Sequence, residues 1–219
     1  MDDLLGRPIV LVVALALVSL VPFLFMSVTA FVKISTVLQI VRSALGVQSV
    51  PSSTVVMALS AALTLIAMAP VGDRIVDRAT PVLEAKGEDT GARVKAAIDA
   101  VREPMRDFLA ANASDKERAR FYEVARSART GADREKVGER DLTVLVPAFV
   151  VTELTEAFAL GFLIFLPFLV LDMVVANVLL ALGMPMMSPT QVSLPFKLLL
   201  FVAIDGWGLL SRSLVAGYH

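Results

Sequence analysis

The sequence predicts an all-α protein made of two long apolar helical hairpins joined by a charged helical insert. Hydrophobic residues make up 57% of the 219 residues and the mean hydropathy is +0.75, which is more apolar surface than a soluble domain of this size buries. Charged residues are concentrated in the middle of the chain, and glycine and proline cluster where each apolar segment must turn back. These observations divide the chain into 1–71, 72–141 and 142–219.

Composition excludes several kinds of chemistry. The chain has 20 basic and 21 acidic residues, so its net charge of -1 gives no reason to expect nucleic acid as a partner. It has no cysteine, and its one histidine is His219, which excludes thiolate catalysis, disulfides, zinc clusters and a Ser-His or Cys-His pair. No phosphate-binding loop occurs. We therefore expect no enzyme activity, no cofactor and no metal site.

The first block is almost free of charge. Between residues 9 and 71 the only charged residues are Lys33 and Arg42. The stretch 9–32 holds 24 uncharged residues, which is long enough to cross a bilayer as one helix. Pro22 is expected to kink that helix.

Glycine, proline and serine at 44–53 predict a turn, and an apolar helix over 55–71 completes the first hairpin.

The insert that follows the first hairpin is rich in charged residues. The insert carries 15 basic and 15 acidic residues, so it is predicted to be soluble, with a solvated surface or a docking face for another subunit. Loops are expected at 87–91 and 130–138. Its apolar residues at helical spacing are Val94, Ile98, Val101, Met105, Phe108 and Leu109.

The third block is apolar but contains ionisable residues. Only 15 uncharged residues separate Glu156 from Asp172, about 22 Å of helix, which is short for an independent membrane span. An ionisable group inside a bilayer costs on the order of a few kcal/mol. We therefore expect these residues, together with Lys33, to form buried ion pairs or subunit contacts against protein or a water-filled lumen. The residues of this block in that expectation are Glu153, Glu156, Asp172, Lys197 and Asp205, and Arg212 is a further charged residue of the block.

The second hairpin is expected to turn at residues 183–189, because one glycine and two prolines there cannot continue a helix. Asp172 lies 14 residues before Met186 and Lys197 lies 11 after it, so folding about the turn leaves an offset of about 5 Å. A buried pair of these two would fix the hairpin register or link subunits; alternatively, they face different aqueous surfaces. The turn comprises Gly183, Met184, Pro185, Met186, Met187, Ser188 and Pro189.

Two further features belong to the first arm of this hairpin. Glu153 and Glu156 lie three residues apart and so share one helix face. They would receive basic groups from a partner, form a polar ring inside an oligomer, or mark a solvated helix end. Pro167 is expected to kink the helix that follows.

The turn itself contains three methionines, Met184, Met186 and Met187. Methionine in an apolar chain usually fills a packed core, but a turn rich in proline and glycine is a poor place for one. The side chain is flexible and polarisable, so it closes around partners of varied shape. If several subunits brought their turns to one axis, these residues would form a soft apolar ring that seals and then yields.

Segments in both hairpins follow a specific pattern. The first hairpin contains TAFVKI at 29–34 and VRSALGVQ at 41–48, followed by Pro51. The third block contains PAF at 147–149, GFLIFLPF at 161–168, LPFKLLLFV at 194–202 and DGW at 205–207. In these segments the chain resembles the FliP/SctR family of flagellar and injectisome export-gate proteins.

The resemblance implies a core subunit of the type III secretion export apparatus, in a helical, membrane-associated channel complex. About five copies would assemble with about four copies of a small two-helix subunit and one larger subunit, and pass unfolded substrates across the bacterial inner membrane. The resemblance also places the insert and much of the complex on the periplasmic side. The family's methionine gasket maps onto Met184, Pro185 and Met186, where proline replaces the central methionine and Met187 follows. Gating would be passive, with energy from partners.

The residues also allow two functions other than an export channel. The carboxylates would serve as a relay in a secondary transporter or proton channel, or the chain would be a scaffold for the other subunits. Flagellar members of the family typically begin with a cleaved signal peptide, whereas this chain enters its first hairpin at residue 9. An injectisome-type member is therefore expected. Its apolar segments are also expected to contact membrane lipid.

Overall fold

The computed structural model describes residues 8–47, 51–84 and 90–218, and over these ranges the chain is helical and contains no strand. This confirms the predicted all-α fold. The helices are α1 (Pro8–Val28), α2 (Phe31–Leu45), α3 (Ser53–Glu84), α4 (Thr90–Asn112), α5 (Asp115–Ser127), α6 (Leu142–Ala181), α7 (Pro189–Ala203) and α8 (Gly206–Ala216), with a 3-10 turn at Gly131–Asp133.

The first apolar run is two helices rather than the single helix expected over 9–32. α1 ends just before Thr29, and α2 begins at Phe31. The hydroxyl of Thr29 donates to the carbonyl of Phe25 at 2.7 Å and accepts from the N–H of Phe31 at 3.4 Å. A side chain thus supplies bonds that a continuous helix would make with its backbone. Pro22 lies inside α1 and does not end it.

The first hairpin turns at the expected glycine and serine residues. Gly46 follows α2 with a φ of 74°, a left-handed conformation that costs glycine little. The hydroxyl of Ser52 accepts from the N–H of Val55 at 3.3 Å and caps the start of α3. α3 runs well past its expected end at residue 71, because the charged residues that follow extend the helix with their side chains mostly in solvent.

The insert is helical and is held against the beginning of α6. The rings of Phe108 on α4 and Phe149 on α6 are buried with their centroids 5.5 Å apart. Ser114 caps α5 by accepting from the N–H of Glu117 at 3.3 Å. The N–H of Ser114 in turn donates to the hydroxyl of Thr152 on α6 at 3.0 Å, so packing and hydrogen bonds both fix the insert.

The two loops expected in the insert have different outcomes. Residues 87–89 of the first lie outside the described residues, and its last two residues already belong to α4. The second, 130–138, is irregular apart from the 3-10 turn at Gly131–Asp133.

α6 is the longest of the described helices, with 40 residues and a length of about 60 Å. It passes through Pro147 and Pro167 without ending, so the kink expected at Pro167 does not interrupt the helix. α2 packs along α6 and approaches it closely at Gly161. A Cβ at Gly161 would lie 2.5 Å from Cδ1 of Ile40, so the absence of a side chain permits this approach.

The returning arm of the second hairpin is a bent pair of helices. α7 and α8 meet at 58°. Between them, Asp205 has a φ of 52°, a left-handed conformation that is uncommon for a residue with a side chain. Gly206 lies against the ring of Phe201, where a Cβ would be 2.3 Å from Cε2. The returning arm is therefore two helices, α7 and α8, instead of one.

Two apolar cores hold the helices together. The first lies among α2, α3, α6, α7 and α8, and Ile34, Phe168 and Phe201 are buried in it. The second joins α4 to the beginning of α6 and the middle of α3, and includes Val71 and Leu145. The insert is thus continuous with the hairpins rather than a separate packed unit.

Three of the described helices, α1, α3 and α6, are long and apolar enough to cross a membrane, and α7 with α8 would make a fourth span. None of the apolar window Leu11–Val28 in α1 is buried within the chain. Exposed apolar surface of this extent requires lipid or other subunits to cover it, which agrees with a membrane component.

Candidate functional site

Hydrogen bonds define the turn of the second hairpin. The N–H of Met184 bonds to the carbonyl of Leu179 at 2.9 Å, and the N–H of Gly183 bonds to that of Leu180 at 3.1 Å. This pair of bonds is a Schellman motif, and Gly183 supplies its left-handed residue with a φ of 74°. Pro189 occupies the first position of α7, where a missing N–H is not needed.

The three methionines of the turn project away from the chain. Met186 is 96% exposed, and Met184 and Met187 are 47% and 46% exposed. Pro185 separates the first two and prevents either helix from continuing. Packing in the chain's own core therefore does not account for these residues. They form an apolar surface of flexible side chains at the end of the hairpin, suited to contact partners of varied shape.

Near the same end of the hairpin, a buried lysine joins three helices. Nζ of Lys197 on α7 lies 2.6 Å from Oδ2 of Asp172 on α6. It also donates to the carbonyl of Ala44 at the end of α2, at 3.2 Å. Ser193, one turn before Lys197, donates its hydroxyl proton to the other oxygen of Asp172. The structure thus brings Asp172 and Lys197 together and adds two groups that the sequence analysis did not name.

A second ionic cluster lies at the other end of α2. Nζ of Lys33 lies 2.9 Å from Oε1 of Glu153 and 2.7 Å from Oε2 of Glu156, both on α6. Glu153 is fully buried, whereas the side chain of Glu156 is 52% exposed. The hydroxyl of Tyr218 donates to Glu153, and its ring centroid lies 4.6 Å from Nζ of Lys33. This cluster ties α2 and α6 to the end of the described chain.

In the second cluster, Tyr218 is the hydrogen-bond donor and Lys33 is the counter-ion. Burial raises the pKa of the Tyr218 hydroxyl, and the neighbouring Glu153 raises it further. Tyr218 therefore stays protonated and acts as a donor. Glu156 retains contact with solvent, so Lys33 serves chiefly as the counter-ion of the buried Glu153.

Asp205 belongs to neither cluster. Its side chain is 71% exposed and pairs at 3.2 Å with Arg212, which is equally exposed. The expectation of a buried ion pair is therefore wrong for Asp205 within the chain, because the residue stands at the break between α7 and α8 instead of inside a helix. Its role as a subunit contact stays a prediction.

Three contributors to these clusters were missed by sequence reasoning. Ser193 lies four residues before Lys197, on the same helix face, and that spacing was a usable signal. The carbonyl of Ala44 and the hydroxyl of Tyr218 depend on how distant helices pack, and no local pattern points to either.

The uncharged interval between the two clusters on α6 is relevant to the alternative of a proton relay. Glu156 and Asp172 lie 16 residues apart on α6, about 24 Å, and every residue of α6 between them is uncharged. A relay along α6 would have to cross this interval without an ionisable side chain, which counts against that alternative. The described residues also contain no group of three or more side chains suited to hold a metal ion.

Comparison with known proteins adds independent information. The sequence pattern of the FliP family matches residues 14–214. The chain is 42% identical over 209 residues to the hypersensitivity response secretion protein HrcR of Ralstonia nicotianae, covering 95% of this chain and 96% of that protein.

Two other relatives cover the chain equally well. It is 40% identical over 210 residues to Yop proteins translocation protein R of Yersinia pestis, covering 95% of each chain. It is 39% identical over 209 residues to the flagellar biosynthetic protein FliP of Bacillus subtilis, covering 95% of this chain and 90% of that protein. The similarity therefore includes both hairpins, the insert and most of the chain's length.

Proposed function

Because this chain belongs to the FliP family and is a subunit of a type III secretion export apparatus, we propose that it forms the channel through which unfolded proteins cross the bacterial inner membrane. The chain acts without chemistry of its own, and partner proteins supply the energy. The names of its relatives, which describe secretion, translocation and flagellar biosynthesis, support transport of protein as the common activity.

The observation that carries this proposal is the methionine turn. Met184, Met186 and Met187 lie together at the tip of a hairpin, exposed and held by a rigid Schellman motif. About five copies of the chain arrange these turns around one axis, and the methionines close the lumen at rest. An entering unfolded segment displaces the flexible side chains, and they close again behind it.

The same proposal includes the other subunits and the position in the cell. The chain assembles with about four copies of a small two-helix subunit and one larger subunit, through apolar helix faces that its own core leaves exposed. The charged insert lies on the periplasmic side. We place the protein in an injectisome rather than a flagellum, which is supported by its 42% identity to a protein named for hypersensitivity response secretion.

Replacing Met184, Met186 and Met187 together with alanine is expected to leave assembly unchanged and to make the complex leak ions. The methionines are exposed in the chain, so their loss removes the seal without opening a core cavity. The complex is co-expressed with its neighbouring subunits, and its conductance is measured in planar bilayers, while native mass spectrometry counts its copies.

The matched control is Met173→Ala, which removes an exposed methionine from α6 outside the turn and should not raise conductance. A triple variant that assembles and remains as tight as the parent would show that the methionine turn is not the seal.

A further inference from the structure

An apolar groove lies outside both ionic clusters, between α1, α4 and the beginning of α6. Its volume is about 670 Å³, within the range of sites that hold small ligands. The described lining is apolar apart from one arginine. The residues that matter here are Leu24, Val28, Ile98, Val101, Arg102 and Val146.

The groove leaves apolar side chains uncovered on a charged domain. Ile98 and Val101 are 57% and 47% exposed, although the rest of the insert carries charges at high density. A continuous apolar surface of this kind on an otherwise polar domain marks a binding site. The described part of the chain supplies nothing to cover it.

The position of the groove indicates what fills it. Leu24 and Val28 belong to the last two turns of the apolar span in α1, and they also form one wall of the groove. None of that span is buried within the chain, so acyl chains that surround α1 reach the groove without crossing a polar barrier. A hydrocarbon chain is therefore the ligand that suits the wall formed by α1.

The charge at the groove matches a lipid headgroup. Arg102 lines the groove, and among the described residues it has no carboxylate partner. A guanidinium group binds phosphate oxygens in a bidentate arrangement. We propose that this groove binds one acyl chain of a phospholipid whose phosphate is held by Arg102.

The wall that α1 contributes favours an acyl chain over a helix from another subunit, because lipid that covers α1 lies directly against the groove. The proposal does not rest on the channel function, because it concerns only the contact between the insert and lipid.

The test uses the full-length chain in its complex, reconstituted into phosphatidylcholine vesicles that contain phosphatidylglycerol with a photoreactive diazirine in one acyl chain. Labelled peptides are then mapped by mass spectrometry. We expect labelling of α4 around residues 98–105 in addition to α1. Val101→Trp should fill the groove and reduce labelling of α4 several-fold, while labelling of α1 stays unchanged. Ile98→Trp serves the same purpose if that variant does not fold.

Two comparisons make the result specific. Val124→Trp, at an exposed valine on α5, should not change the labelling of α4. Arg102→Gln should reduce the labelling of α4, because it removes the group that holds the phosphate, while the labelling of α1 stays unchanged. Absence of α4 labelling in the parent, labelling unchanged by the tryptophan variants, or a partner protein cross-linked over α4 in place of lipid would overturn the proposal. The ion-leak assay of the methionine turn is unaffected by any of these outcomes.

Discussion

Lys33→Ala is expected to lower the stability of the folded chain by about 3–5 kcal/mol, which is the usual cost of removing one partner from a buried ion pair. Lys33 lies between Glu153 and Glu156, at 2.9 Å and 2.7 Å from their nearest oxygens. Without it, the hydroxyl of Tyr218 is the one donor to the fully buried Glu153 that remains among the described residues. The carboxylate must then take up a proton or draw water into the packing between α2 and α6.

The measurement is thermal unfolding of the detergent-solubilised chain, followed by circular dichroism. Lys136→Ala is the matched control, because Lys136 pairs with Asp133 on the surface, where both side chains are 72% exposed. An exposed pair contributes about 0–1 kcal/mol, so its loss should hardly change the midpoint. Equal shifts for Lys33→Ala and Lys136→Ala would mean that the buried cluster does not stabilise the fold.

A double substitution separates charge from packing. Lys33→Met combined with Glu153→Leu removes the buried pair and leaves apolar side chains of similar volume in its place. Replacements of this kind are often neutral or stabilising. We therefore expect the double variant to unfold at a higher temperature than Lys33→Ala.

Lys197→Ala is expected to have a comparable effect on stability and a larger one on secretion. Lys197 is the common partner of Asp172 and the carbonyl of Ala44, so its loss removes the counter-ion of the carboxylate and a donor to the carbonyl. Because Asp172 is 24% exposed and retains the bond from Ser193, the cost should lie near 3 kcal/mol, toward the lower end of the range for buried pairs. The hairpin that presents the methionine turn would lose its register against α2.

Secretion of a reporter substrate and the amount of assembled complex are measured together for this variant. Asp172→Asn in the Lys197→Ala background should restore part of the stability, because a neutral amide avoids a buried unpaired charge. Arg212→Ala breaks the exposed pair with Asp205 and is the control, with little expected effect on stability. Full secretion by a normally assembled Lys197→Ala complex would contradict the role given to this lysine.

Local sequence signals predicted some features well. Gly183 follows the end of α6, where the backbone needs a left-handed conformation, and Pro189 begins α7, where no N–H donor is needed. The offset of Asp172 from Lys197 follows from the place of the turn and the rise of a helix, so it could be calculated from the sequence alone.

Other features depend on contacts between distant parts of the chain. The partners of Lys33 are more than 100 residues away, and the contact with Tyr218 requires the end of the chain to fold back between helices. The bend at Asp205 arises where Gly206 lies against the ring of Phe201, and a hydropathy profile does not predict that contact. Tertiary packing decides these features, so local periodicity does not predict them.

Unfolded substrates that cross the channel should pass the methionine turn, and the absence of cysteine from the chain allows this contact to be measured directly. Met186→Cys introduces one thiol at the most exposed of the three methionines. A secretion substrate with one cysteine in an unfolded segment is stalled by a folded domain fused behind that segment, and the cells are oxidised. We expect a disulfide between the substrate and Met186→Cys, and none with Val124→Cys on α5. A stalled substrate that forms no disulfide with Met186→Cys, in complexes that still secrete the unfused substrate, would contradict it.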